Sequence, residues 1–268
     1  MTSCINDKPD IFGCKDPEAL NFNPDATYDA ENCIVPEWIQ RVLIIEQTAT
    51  WCSACPSAGA YMMDVTEEYH GDVILVAIHG ENSDPMEPDC FLSFQSDRYS
   101  NVYPAFFISD FRVLLSPDIV YDTINNILAS KPVIASSNLI YSKNENNIDI
   151  TTRTKFFMSS DHHYYQSVFI MEKNIYGGDD AGPYDQVNAG PNYKHQHVLR
   201  AAVSGTEFYG EKLNDIPVVS GELIDKDYQI EIDPEWIIEN VYFVIVIWKY
   251  NPSGNPVHYL FVNATEVH

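Results

Sequence analysis

Two cysteines with two residues between them, Cys52 and Cys55 in Trp51-Cys52-Ser53-Ala54-Cys55-Pro56, have the types and spacing for thiol–disulfide chemistry. The apolar run before them, Arg41 to Glu46, is rich in β-branched residues and predicts a strand. After them Ala58, Tyr61, Met62, Val65 and Tyr69 recur at helical spacing, so the pair falls at a strand-to-helix junction. There, unpaired N–H groups and the positive end of the helix dipole stabilise a thiolate and lower the pKa of the first cysteine. The second cysteine lies within reach to close a disulfide.

Zinc sites also use such a pair, but they need a second one. Cys90 and scattered histidines are a poor substitute. His195 and His197, two apart, would project from one face of a strand and could share a metal, although no third ligand is evident. A packed or hydrogen-bonded pair is the alternative. The remaining cysteines divide into Cys14 and Cys33, which read as a structural disulfide, and Cys4 and Cys90. Closing the 14–33 loop contributes about 3 kcal/mol on the chain-entropy estimate, and it implies an oxidising compartment. Cys90 reads as a half-buried free thiol.

The elements that must position the cysteine pair follow from the pattern. Residues 36–132 predict strand 41–46, helix 56–70, strand 73–79, a longer connection through Cys90, strands 105–109 and 112–115, and helix 117–130. Ser116-Pro117-Asp118 marks the start of the last helix, as N-cap, proline and acidic residue, with Val120, Ile124, Ile127 and Leu128 on one face. From Val133 the helical signals stop. Strands are expected at 133–141, 147–157, 164–173, 196–203, 222–232, 241–249 and 257–264, which suggests a β-sandwich in residues 133–268. A long connection from Ile175 to Lys194 carries Gly177, Gly178, Gly182, Gly190, Pro183 and Pro191 and reads as a functional loop or a surface excursion.

At the other end, residues 1–12 read as a tether and 13–35 as a Cys-bounded, Asn/Asp-rich module. Asp16, Asn21, Asn23, Asp25 and Asp29 offer oxygens suited to calcium, but not at EF-hand spacing. Asx turns are the alternative use. Cys4, followed by the polar stretch 5–10, stands where an acylated lipoprotein cysteine would stand if a lipobox preceded it. A plain thiol or a disulfide partner is the other reading.

Composition bounds the rest. The 268 residues, 45% of them hydrophobic, suffice for two cores. With 39 acidic against 15 basic residues the net charge is -24, which repels nucleic acid and anionic lipid. The longest apolar run, Val241 to Trp248, is far short of the roughly 20 residues that span a bilayer, so it predicts a buried strand. Membrane association would come only through the N-terminal anchor.

Strand, WCxxC, helix and a later proline together resemble the thioredoxin fold. The resemblance places Glu46 where thioredoxins carry a buried acidic residue that exchanges a proton with Cys55. It places Pro104, in Tyr103-Pro104, as the cis proline that shapes a polypeptide groove, with Trp51 as the flanking aromatic. Cys52 would be the nucleophile and Cys55 the resolving thiol, with no diffusible cofactor required. Residues 13–33 resemble short Cys-bounded modules (GCxDPxAxNYxPxA…C) near the N-termini of secreted and surface proteins of some Gram-negative bacteria. A further resemblance rests on VLIxExTxTWCxxCP, HxHVLR in His195 to Arg200, Gly210-Glu211 and the run 241–248. Together these are similar to the bacterial family named after a twenty-eight-kilodalton outer membrane protein. It implies an exported protein of the outer membrane, cell surface or periplasm, with a thioredoxin-like α/β domain followed by an Ig-like β-sandwich. Ser53-Ala54 departs from the Gly and aromatic residue common between that family's cysteines. Two functions follow as expectations: thiol–disulfide exchange with protein substrates, or a surface binding module that keeps the disulfide for shape.

Overall fold

The apolar patterning is resolved in a computed structural model that describes residues 10–215, 217–254 and 257–268; Cys4 lies outside the described residues. The first long strand, β1 (Val42–Thr48), is buried along its whole length, and so is β2 (Val73–His79), its parallel neighbour. Between them runs α1 (Cys55–Glu68), whose Ala58, Met62 and Val65 are buried. A short helix α2 (Phe91–Asp97) precedes the hairpin β3 (Ala105–Ile108) and β4 (Phe111–Val113), and α3 (Pro117–Ser130) closes this half. These elements fall where the periodicity predicts, except α2. With only Phe91 and Phe94 as apolar anchors, seven residues are too few for a helical period to stand out. Ser116 occupies the N-cap position of α3, but its hydroxyl makes no capping hydrogen bond.

Seven longer strands follow: β5 (Ala135–Lys143), β6 (Asn147–Phe156), β7 (Tyr164–Glu172), β8 (Val198–Ala202), β9 (Leu223–Glu231), β10 (Val241–Tyr250) and β11 (Tyr259–Val267). They do not close on themselves as a free-standing sandwich. Strand β8 pairs antiparallel with β7 and parallel with β2, so one nine-stranded sheet runs β11-β10-β7-β8-β2-β1-β3-β4, with Glu211–Lys212 added beside β7. The join passes through a single bridge, Val198 to Ala77. Alternation fixes which face of β8 is apolar; it says nothing of which strand lies next to it. The three-stranded sheet β9-β6-β5 covers one face of the β7, β10 and β11 part, through Leu139, Ile148 and Ile150 against Val168, Ile170, Phe243 and Ile245.

The large sheet coils until β11 comes back over the start of β1. Asn263 accepts from the Arg41 N–H and donates to the Ile39 carbonyl, and Gln40 donates to the Val262 carbonyl. Inside the coil lie Leu43, Ile45, Val76, Phe91, Phe94, Phe208, Val244, Val246, Trp248 and Phe261. Helices α1 and α3 cover the opposite face of β1, β2 and β3. The run Val241 to Trp248 is apolar without alternation because it is buried on both sides, its even residues in the coil and Phe243, Ile245 and Ile247 outside it. Among the described residues no helix is long and apolar enough to cross a membrane, which says nothing of strands that might pair into a barrel.

A buried charge fixes the inside of the coil. Arg98 donates to Asp97, the Tyr209 hydroxyl and the Tyr259 carbonyl, with its guanidinium over the Tyr209 and Trp248 rings. Burying a guanidinium is tolerated because a carboxylate and several acceptors replace its water.

Candidate functional site: the Cys52–Cys55 junction

Chain leaves β1 at Thr48 and turns through Ala49 to Trp51 before α1 begins. The turn is held by the Cys52 N–H to the Ala49 carbonyl at 3.1 Å, and from outside by Asp84, which accepts from the Thr50 N–H at 2.6 Å and its hydroxyl at 2.9 Å. Cys52 and Cys55 form a disulfide across the first turn of α1, with Ala54 as N-cap and Pro56 in the first turn, where its missing N–H costs nothing. Cys52 is only 5% exposed and Cys55 2%.

The residues that the thioredoxin resemblance assigns converge here. Trp51 packs on Tyr103 with ring centroids 4.7 Å apart, and its indole N–H donates to the Glu81 carbonyl at 3.0 Å. The Tyr103-Pro104 peptide is cis. Glu46, opposite Ala77 in register, points to the α1 side of the sheet and lines a cavity of about 50 Å³. Burial pushes its carboxyl up to about 8, against a smaller opposing hydrogen bond from Thr48. Helix α1 has a glycine, Gly59, where a Cβ would stand 3.2 Å from one Glu46 carboxylate oxygen and 3.3 Å from the other. A larger residue would crowd the carboxyl.

Sequence reasoning missed three contributors. Gln186, from the Gly-rich connection, is buried over the cysteines and donates to the Cys52 carbonyl at 2.9 Å and the Ala49 carbonyl at 3.2 Å. The Val187 N–H donates to the Thr50 carbonyl at 2.9 Å. So the connection from Ile175 to Lys194 is an ordered strap across the site. Its path requires Gly177, where a Cβ would fall 2.2 Å from the His195 ring. The other two are His79, at the end of β2, and Asp84, 3.2 Å from His79 Nδ1. Burial alone would raise the Asp84 carboxyl, but His79 and the backbone N–H groups of Met86 and Thr50 outweigh it and hold it low. Part of the signal was in the sequence: a histidine ending an apolar strand, and a glycine-rich connection too long to be a plain turn.

His195 and His197 do not share a face. His197 has φ of +53°, which breaks the strand alternation; its Nδ1 meets the Tyr242 hydroxyl at 2.8 Å, while His195 Nε2 meets the Tyr184 carbonyl at 2.9 Å. Burial pulls both pKa values down, His195 to about 4, so its ring is neutral at pH 7. Cys90 is fully buried and has no disulfide partner among the described residues, its thiol pushed up to about 12 by burial.

In the N-terminal module Cys14 and Cys33 are disulfide-bonded. Its polar residues build turns: Asp16 accepts from Glu18 N–H, Asn23 from Asp25 N–H and Asp29 from Glu31 N–H, while Asn21 bridges Asn32 and Ile34. The module rests on β6 through Glu18, whose carboxylate meets Lys155 at 2.5 Å and whose carbonyl accepts from Arg153. Among the described residues no three His, Cys, Asp or Glu side chains are grouped to hold a metal ion.

No protein-family model matches the chain, and no curated protein matches it. Solved structures similar to the chain include the following two. HBP35 of Porphyromonas gingivalis shares 18% identity at a TM-score of 0.70, over 86% of this chain and 76% of that one. Protein AGR_C_4864 from Agrobacterium tumefaciens shares 10% identity at a TM-score of 0.52, over 86% of this chain and 95% of that one. At such identities the likeness shows a fold alone; within a mostly β-sheet chain, the order β1-α1-β2 followed by the β3-β4 hairpin and α3 is thioredoxin-like. The outer-membrane-protein resemblance has no family match behind it.

Proposed function

We propose that the protein exchanges thiols and disulfides with polypeptide substrates through Cys52 and Cys55. In the reductive direction the Cys52 thiolate attacks a substrate disulfide, joining one substrate sulfur and expelling the other as a thiolate. Cys55 then attacks Cys52 Sγ, its proton passes to Glu46, and the second substrate sulfur leaves as a thiolate. Trp51, Tyr103 and Pro104 would flank the bound segment. The observation that supports this reading most is the buried Glu46 carboxyl, with the space at Gly59 kept open for it. A disulfide kept for shape gains nothing from a costly ionisable neighbour.

One observation favours the second reading, a surface binding module with an inert disulfide: the near-complete burial of Cys52 under Gln186. Dithiothreitol-driven reduction of insulin by wild type and by Cys52→Ser separates the two. Exchange predicts acceleration by wild type alone; equal rates remove it. The Cys14–Cys33 disulfide supports export to an oxidising compartment, which we assign to the outer surface or periplasm of a bacterial envelope, with Cys4 as the candidate lipid anchor. Mass spectrometry of Cys4 in protein purified from the native membrane tests the anchor.

A further inference from the structure

Glu46 protonated in one cycle must lose its proton before the next, and at 4% exposure it meets water through the cavity it lines. It is buried, with α1 on one side and β2 on the other. What it shares is the 50 Å³ cavity, and the other polar groups lining that space are Thr48, His79, His195, Tyr193, Lys194 and Gln196. A cavity of that size with polar walls has room for water.

We propose that His79 is the second member of a buried proton relay, taking from Glu46 the proton that Cys55 releases on disulfide closure and passing it outward. The proposal deepens the exchange reading and rests on it. His79 is 2% exposed and ends β2, directly opposite Thr48 in register. Its Nδ1 lies 3.2 Å from Asp84 Oδ1 and has no aligned hydrogen-bond partner, and the ring of this buried side chain also borders the cavity. The charged and titratable groups facing it are few. Strand β1 offers Glu46, the connection after β2 offers Asp84, and residues 193–195 offer Tyr193, Lys194 and His195; α1 contributes only Pro56, Gly59, Ala60 and Met63. His195 stacks edge-on against His79 at 5.3 Å and is neutral, so it covers the ring without competing for the proton.

The outward route is also present. Pro56, Ala60, Met63, Tyr193, Lys194 and Gln196 line both this cavity and an open groove of about 680 Å³ between α1 and residues 188–196. In the step, the Cys55 S–H bond breaks as its sulfur bonds to Cys52 Sγ, the mixed-disulfide bond from Cys52 to the substrate breaks with the substrate sulfur leaving as a thiolate, and the proton goes to a Glu46 oxygen. It then passes through cavity water to His79, Asp84 supplies the counter-charge, and solvent in the groove takes it up. No oxidant beyond the substrate disulfide is needed.

The test is single-turnover oxidation of the reduced protein by dithiodipyridine, which reads two phases: attack by Cys52 and closure by Cys55. It needs no physiological substrate. In His79→Gln the loss falls on closure, which slows at least about tenfold between about pH 6 and pH 9. In a Glu46→Gln background the same change adds little, because the proton no longer passes that way. In His79→Ala, added imidazole restores closure in proportion to its concentration, a result that a packing role for His79 does not give. Closure at the wild-type rate in His79→Gln, or no rescue of His79→Ala, overturns the relay. Insulin reduction stands apart from both: a wild type inert toward insulin but dependent on His79 for closure overturns the exchange reading and keeps the relay.

Discussion

Replacing Glu46 by Gln should stabilise the oxidised protein, and by an amount that grows with pH. A carboxyl raised in the folded state keeps a proton that the unfolded chain releases above its ordinary pKa, so stability falls as pH rises between the two values. For Glu46 those are 4.5 and about 8. At about 1.4 kcal/mol per pH unit the full penalty is roughly 5 kcal/mol, of which about 4 has developed by pH 8. That is a large part of the 5–15 kcal/mol by which domains are stable. The amide keeps the shape and the Thr48 contact but titrates nowhere in this range. Urea unfolding of both proteins from about pH 4 to pH 9 should therefore give equal midpoints near pH 4 and a gap that widens to pH 8, with Glu46→Gln the more stable. Parallel curves would show that the carboxyl ionises normally in the folded protein, and the argument from its burial would fail.

Three other outcomes are expected. Gly59→Ala gains up to about 1 kcal/mol of helix propensity but crowds the Glu46 oxygens, so its gain should appear only in a Glu46→Ala background, as a double-mutant cycle in thermal unfolding will show. Gln186→Ala removes the two side-chain hydrogen bonds of the strap over Cys52 and leaves the Val187 backbone bond, and dithiothreitol should reduce the Cys52–Cys55 bond several-fold faster in a quench-and-label time course. An unchanged rate means that the strap does not guard the sulfur. Cys14→Ser with Cys33→Ser should cost about 3 kcal/mol within the N-terminal module and open residues 11–35 to proteolysis, leaving β1 to β11 intact.

Much of the site is local in sequence, which is why it could be read there. Cys52, Cys55 and Pro56 are set by one strand-to-helix turn, and Glu46 lies on the strand that enters it. The helices α1 and α3 carry enough apolar repeats to declare their period, whereas α2 does not. What stayed hidden depends on pairing between distant segments. Nothing in Val198 to Ala202 says that it will lie beside Val73 to His79, and that one adjacency merges the two halves of the sheet, with Gln186 over the cysteines and His195 against His79. A single left-handed residue, His197, likewise overrides the alternation that would have paired it with His195. The Asn and Asp side chains of residues 16–29 illustrate the same limit: their oxygens suit calcium in composition, and their partners turn out to be neighbouring backbone N–H groups.

The central claim is that Cys52–Cys55 is a working redox pair and not a fixed brace. Its reduction potential, measured by equilibration against dithiothreitol or glutathione buffers with alkylation of the free thiols, tests that claim most directly. An exchange site predicts a potential above about −300 mV, within the range where cellular thiols interconvert with it. A potential well below that value marks a structural disulfide and contradicts the account.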